Sequence, residues 1–101
     1  MEVFKFNFKD SMDYYEIERG CNEIFITGRF ESLDSRYDSF GYLYLRQVLE
    51  YFGMFKLAGE VPIWLGWDKS RGHEFRHYYE EILTTFDLMV TLNPYDISKE
   101  A

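Results

Sequence analysis

With 101 residues, 47% of them hydrophobic and 21% aromatic, the chain is long enough for one core and too short for a catalytic cleft between two domains. So many rings to bury exclude a disordered chain, because their transfer from water offsets the ordering entropy. The formal net charge of −7 repels nucleic-acid backbone and anionic lipid, which argues against direct DNA, RNA or membrane binding and favours basic partners.

Phe4, Phe6 and Phe8 alternate with Lys5, Asn7 and Lys9, which predicts a half-buried strand. The turn-rich Lys9–Asp13 follows, and Tyr14–Glu18 resumes the alternation with Tyr15 and Ile17 on one face, completing a hairpin. Arg19-Gly20-Cys21-Asn22 reads as a second turn. Glu23–Phe30 then reads as a third strand, with Ile24 and Ile26 on one face, Phe25 and Thr27 on the other, and Gly28 marking either a bulge or a bend. The polar Glu31–Tyr37 is the connection into a helix.

That helix is predicted to end at Phe52. Tyr42, Leu45, Val48, Leu49 and Phe52 form one stripe, Asp38 or Ser39 is positioned as N-cap, and Gly53 stands where a left-handed C-terminal residue is wanted. Val61-Pro62-Ile63-Trp64-Leu65-Gly66-Trp67, apolar on both faces, predicts a strand inside a sheet. Asp68–Gly72 is a loop with Ser70 as a second candidate N-cap, and Phe75, Tyr78, Tyr79, Ile82, Leu83 and Phe86 fall on one face of a second helix. Asp87–Leu92 reads as a last strand before Asn93-Pro94, and the chain from Tyr95 as a frayed tail. The elements predict a single α+β domain over residues 1–101: an antiparallel N-terminal meander, two amphipathic helices and two further strands.

His73-Glu74-Phe75-Arg76-His77 matches H-E-x-x-H and so resembles the zincin metalloproteases, in which two imidazoles on one helical face bind zinc and the Glu is the general base. That resemblance implies a small zinc hydrolase using His73, Glu74 and His77. Against it, Glu80 on the same face is about 10 Å along the axis from His73, too far to be the third ligand, and Arg76 sets a cation beside the second His. The simpler expectation is a solvent-facing pair of histidines, with no metal, no cofactor and no catalytic residue. No nucleophile–base pair is visible, since Cys21 has no basic cluster near it and the serines sit in loop or cap contexts, and the glycines lack a phosphate-cradling spacing. Cys21 is the one cysteine, so no intrachain disulfide forms, and the first twenty residues mix both charge signs where a secretory leader has a basic flank and an apolar run. The chain reads as cytoplasmic.

The first 38 residues hold nine acids against five bases, and Asp10, Asp13, Tyr14, Glu16 and Glu18 cluster as an acidic, aromatic pad. Carboxylates there would steer and pair Lys or Arg of a basic protein, while tyrosines supply contact area. Nine tyrosines exceed what a core of this size can satisfy at every hydroxyl, which also implies an outward-facing aromatic surface.

In its order of elements, a helix ending near Phe52, the strand Val61–Trp67, a helix over His73–Phe86 and the strand Asp87–Leu92, about half of the chain resembles the barstar-like nuclease inhibitors. That resemblance implies a non-enzymatic inhibitor or immunity protein that neutralises a basic toxin, and a phage-type inhibitor of a nucleic-acid-binding enzyme fits the same features. The tyrosines equally fit a homodimeric structural module, so the sequence leaves the oligomeric state open.

Overall fold

In the computed structural model, which describes residues 3–8, 19–82 and 87–98, Phe4–Asn7 forms strand β1 in the predicted register: Phe6 and Phe8 are buried and Lys5 is exposed. The strand Tyr14–Glu18 and the pad Asp10, Asp13, Tyr14, Glu16 and Glu18 lie outside the described residues. Helix α1 spans Arg19–Phe40, β2 Tyr42–Tyr44, α2 Leu45–Tyr51, α3 Phe55–Glu60, β3 Leu65–Asp68, β4 His77–Ile82, β5 Asp87–Leu92 and β6 Tyr95–Asp96. The class is α+β, with antiparallel sheets ordered β1-β5-β4 and β2-β3-β6.

Helix α1 replaces the third strand of the predicted meander and the polar connection after it. Ile26, Phe30, Leu33 and Tyr37 are buried at steps of four, three and four residues, whereas Ile24 is 76% exposed. Burial therefore follows the helical period of about 3.6, and the local alternation of residues 24–27 does not survive packing. Asp38 and Ser39, expected to cap the next helix, form the last turn of α1, which Gly41 ends at φ 82° with its N–H donating to the Tyr37 carbonyl at 2.8 Å.

The predicted helix up to Phe52 is split. Tyr42–Tyr44 is extended, and α2 starts at Leu45, where the Gln47 side chain accepts a bond from the Tyr44 N–H at 2.9 Å. Leu45, Val48, Leu49 and Phe52 are buried as predicted. The stop is also as predicted: Gly53 has φ 80°, its N–H donates to the Glu50 carbonyl at 3.0 Å, and the Met54 N–H reaches back to Leu49 at 2.9 Å. This double bond pattern is a Schellman cap.

Two further corrections concern extended chain. Of 61–67, only Leu65–Trp67 lies in β3, because Pro62-Ile63-Trp64 turns outward with Ile63 62% and Trp64 47% exposed. The segment read as a second helix has no regular structure over 73–76 and is strand β4 over His77–Ile82; residues 83–86 lie outside the described residues. From 73 to 80 half-buried and exposed positions alternate without a break, the signature of extended chain. Strand β5 falls where predicted, and the expected frayed tail instead pairs as β6 against β3, with the Ile97 N–H donating to the Trp64 carbonyl at 2.9 Å.

The first sheet has its inner face set by register. Phe4, Leu92 and His77 form one row across the three strands, and Phe6, Val90 and Tyr79 the next. Helix α1 covers these rows. In the second sheet Leu43 pairs with Trp67, both fully buried, so the two sheets meet in one core through α1, α2 and Trp67. Asn93, the buried polar residue of that core among the described residues, ties three segments together. Its Oδ1 accepts from Trp67 Nε1 at 3.2 Å and from the Arg76 N–H at 2.9 Å, and its Nδ2 donates to the Glu74 carbonyl at 3.0 Å.

Removing that amide leaves an N–H and a carbonyl without their partner in a place water reaches poorly, and each such group costs roughly 1–3 kcal/mol. Asn93→Ala is expected to lower stability in urea by about 2–4 kcal/mol, with an altered Trp67 emission in the native state. An unchanged unfolding midpoint would show that solvent replaces the network.

Candidate functional site

The helical spacing of α1 sets Thr27, Glu31 and Asp34 on one flank, beside the buried Phe30. Strand β4 brings His77, Tyr78 and Tyr79 against that flank, and the space between is a cleft of about 310 Å³ lined by these seven residues. The His77 imidazole lies flat on the Phe30 ring, with centroids 4.0 Å apart and planes 4° from parallel. Its Nε2 is 3.0 Å and 3.1 Å from the two carboxylate oxygens of Asp34. A second hollow of about 420 Å³, lined by Glu23, Ile24, Thr27, Gly28, Glu31 and Tyr79, shares Thr27, Glu31 and Tyr79 with the first. The two hollows make one groove along α1.

The groove has an apolar floor and an acidic rim. Among the described residues, Glu31 has no ion pair, whereas Asp38 is held by Lys69 at 3.2 Å, Asp68 by Arg71 at 3.3 Å and Glu74 by Arg76 at 2.7 Å. Glu31 is therefore available to a cation from outside. Asp34 shares its charge with His77, which as a neutral ring donates one bond and as an imidazolium would make a full ion pair. Thr27, Tyr78 and Tyr79 bring hydroxyl-bearing side chains to the same cleft as this imidazole–carboxylate pair.

The H-E-x-x-H residues are not on a helix, which corrects the geometry on which the zinc reading stood. In extended chain, positions four apart stand about 13 Å from each other, and each residue is engaged separately. His73 stacks on Tyr95 at 3.8 Å, accepts the Asp68 N–H at its Nδ1 at 3.1 Å, and accepts the Tyr37 hydroxyl at its carbonyl at 2.6 Å. Glu74 pairs with Arg76, and His77 with Asp34. Among the described residues no group of three His, Cys, Asp or Glu side chains is placed to hold an ion.

A second surface carries the expected outward aromatics. Phe40 is 65% and Tyr42 51% exposed, Tyr42 and Tyr44 meet edge to face at 5.9 Å, and a shallow hollow runs from them to Asp68, Ser70 and Ile97. Asp68 is occupied structurally: the Ser70 hydroxyl and amide both donate to it, at 2.7 Å and 3.0 Å, and the hydroxyl above all holds its carboxyl below the usual range.

The Asp34–His77 pair joins residues 43 positions apart and was not read from the sequence. Two signals pointed to it: the four-then-three spacing of Thr27, Glu31 and Asp34, and the alternation of His73, Phe75, His77 and Tyr79 with charged residues or Tyr78. No protein family, curated protein or solved structure matches the chain.

Tyr37 is buried, and that burial first, then the nearby Asp68 charge, pushes its phenol up to about 12 from an ordinary 10. A raised folded-state value means that the stabilisation is complete below pH 10 and is lost as the pH climbs to about 12. Absorbance titration of the nine tyrosines should show one late phenol, absent in Tyr37→Phe, and the variant should lose less stability across that window than the wild type. A Tyr37 that ionises with the others would contradict the buried bond to His73.

Proposed function

We propose that this chain is a non-enzymatic acidic protein that binds and neutralises a basic protein partner in the cytoplasm, as an immunity protein against a bacterial nuclease toxin or a phage-type inhibitor does. One observation carries the reading: the groove between α1 and β4 has apolar walls and a carboxylate rim on a chain of net charge −7, with Glu31 unpaired among the described residues. A cation arriving there gains steering at long range and a partly desolvated partner at short range. Tyr78 and Tyr79 line the groove and give it aromatic surface, and apolar walls suit the methylene stems of Lys or Arg. The pad Asp10, Asp13, Glu16 and Glu18 precedes α1 in the chain and adds four acids to the chain's negative charge.

Affinity capture from the native host, followed by inhibition assays on the captured protein, tests this. A basic protein whose activity the wild type blocks is the expected result, with association slowing as salt rises. Glu31→Gln/Asp34→Asn should slow association about tenfold or more if the groove docks the partner, and Asp13→Asn/Glu16→Gln should do so if the pad does. A captured partner without basic character, or one bound equally by both variants, would refute the reading.

A further inference from the structure

The cleft is lined by His77, Tyr78 and Tyr79 in succession, although alternate residues of a strand face opposite sides of its sheet. Contact with three consecutive residues fits a groove along the side of β4 that β5 leaves open. The sheet order β1-β5-β4 agrees, since β4 is terminal among the described residues. On that side every second residue of β4 turns its N–H and carbonyl away from β5.

Resting on the basic-partner reading above, we propose that the partner enters this groove as an extended segment, adding a strand to the β4 edge with Lys or Arg at alternate positions facing α1. Backbone bonds along the edge supply affinity, and alternating side chains supply selectivity. Residues two apart on one face of such a strand stand about 6.7 Å from each other, and Glu31 and Asp34 lie about 4.5 Å apart along the axis of α1. Two basic side chains thus reach two carboxylates while their stems cross Thr27, Phe30 and Tyr79.

Charge decides against the other natural occupant of a free edge, a second copy of the same strand. Two-fold pairing of β4 would set the acidic residues of a second β4 against this edge and a second Glu31 and Asp34 beside the first, and such a concentration of like charge disfavours association. A basic strand meets neither obstacle.

The probe is a blocked ten-residue peptide of alternating Lys and Val, added to the full chain. Binding is expected to protect main-chain amides within Tyr78–Glu80 from hydrogen exchange and to be absent for the Glu–Val analogue. Methylating alternate backbone nitrogens on the edge that faces β4 keeps every side chain and removes the ladder, so it should weaken binding at least tenfold; Glu31→Gln/Asp34→Asn should weaken it by a similar factor. Equal binding of the methylated and unmethylated Lys–Val peptides overturns strand addition while leaving the basic-partner reading intact. Failure of the Lys–Val peptide to bind, with the captured partner still bound through Glu31 and Asp34, also overturns it and makes the carboxylates guards of an edge kept unpaired. Loss of both peptide and partner dependence on Glu31 and Asp34 overturns the groove as the docking face and leaves the basic-partner reading to the Asp13→Asn/Glu16→Gln variant.

Discussion

The side-chain amide of Asn93 is the constraint on which the candidate site rests. An unpaired amide in a core is expensive, so the chain around it is arranged to satisfy it: the Trp67 ring nitrogen from one sheet, and the Arg76 amide and Glu74 carbonyl from the segment that leads into β4. Fixing 74–76 sets where β4 begins, and the register with β5 then puts His77 opposite Leu92 on the inner face. From there the imidazole stacks on Phe30 and meets Phe75 at a tilt, and Asp34 one helical turn further along α1 takes its nitrogen. The groove is thus a by-product of satisfying a buried polar group.

Where a segment's environment is decided by its neighbours in sequence, the sequence was readable. The Phe4–Phe8 alternation, the buried stripe of α2, its Gly53 stop and the strand at 87–92 all involve one dominant local signal. Two segments carried two signals at once. Ile24-Phe25-Ile26 is short, β-branched and aromatic, yet the partners that matter are Phe30, Leu33 and Tyr37 further along, and burying them together outweighs strand propensity. In 73–82 the tyrosines counted as one apolar stripe, while a histidine can be as buried as an aromatic residue when its nitrogen is paired; treating His73 and His77 as polar hid the alternation.

The site was less legible than the fold for a related reason. Asp34 and His77 acquire meaning only from a contact between α1 and β4, and nothing in either local sequence names the other. The overall acidity was visible in composition, but which carboxylates are engaged was not: Lys69, Arg71 and Arg76 occupy Asp38, Asp68 and Glu74, three of the acids near them. Exposed pairs of this kind contribute little to stability, and their effect here is on distribution, since they mask Asp38, Asp68 and Glu74 while Glu31, on the groove side of α1, has no ion pair among the described residues.

Helix α1 divides its labour by face. Ile26, Phe30, Leu33 and Tyr37 fill the core, and Thr27, Glu31 and Asp34 line the groove, so each turn contributes to both. Substitutions at 27 and 31 alter the groove's charge and width without removing a core contact, and exposed changes of that kind usually shift stability by no more than about 0.5 kcal/mol. A lineage carrying this helix is free to retune its recognition one residue at a time, each intermediate remaining folded, while Phe30 stays fixed because it serves as both core and floor.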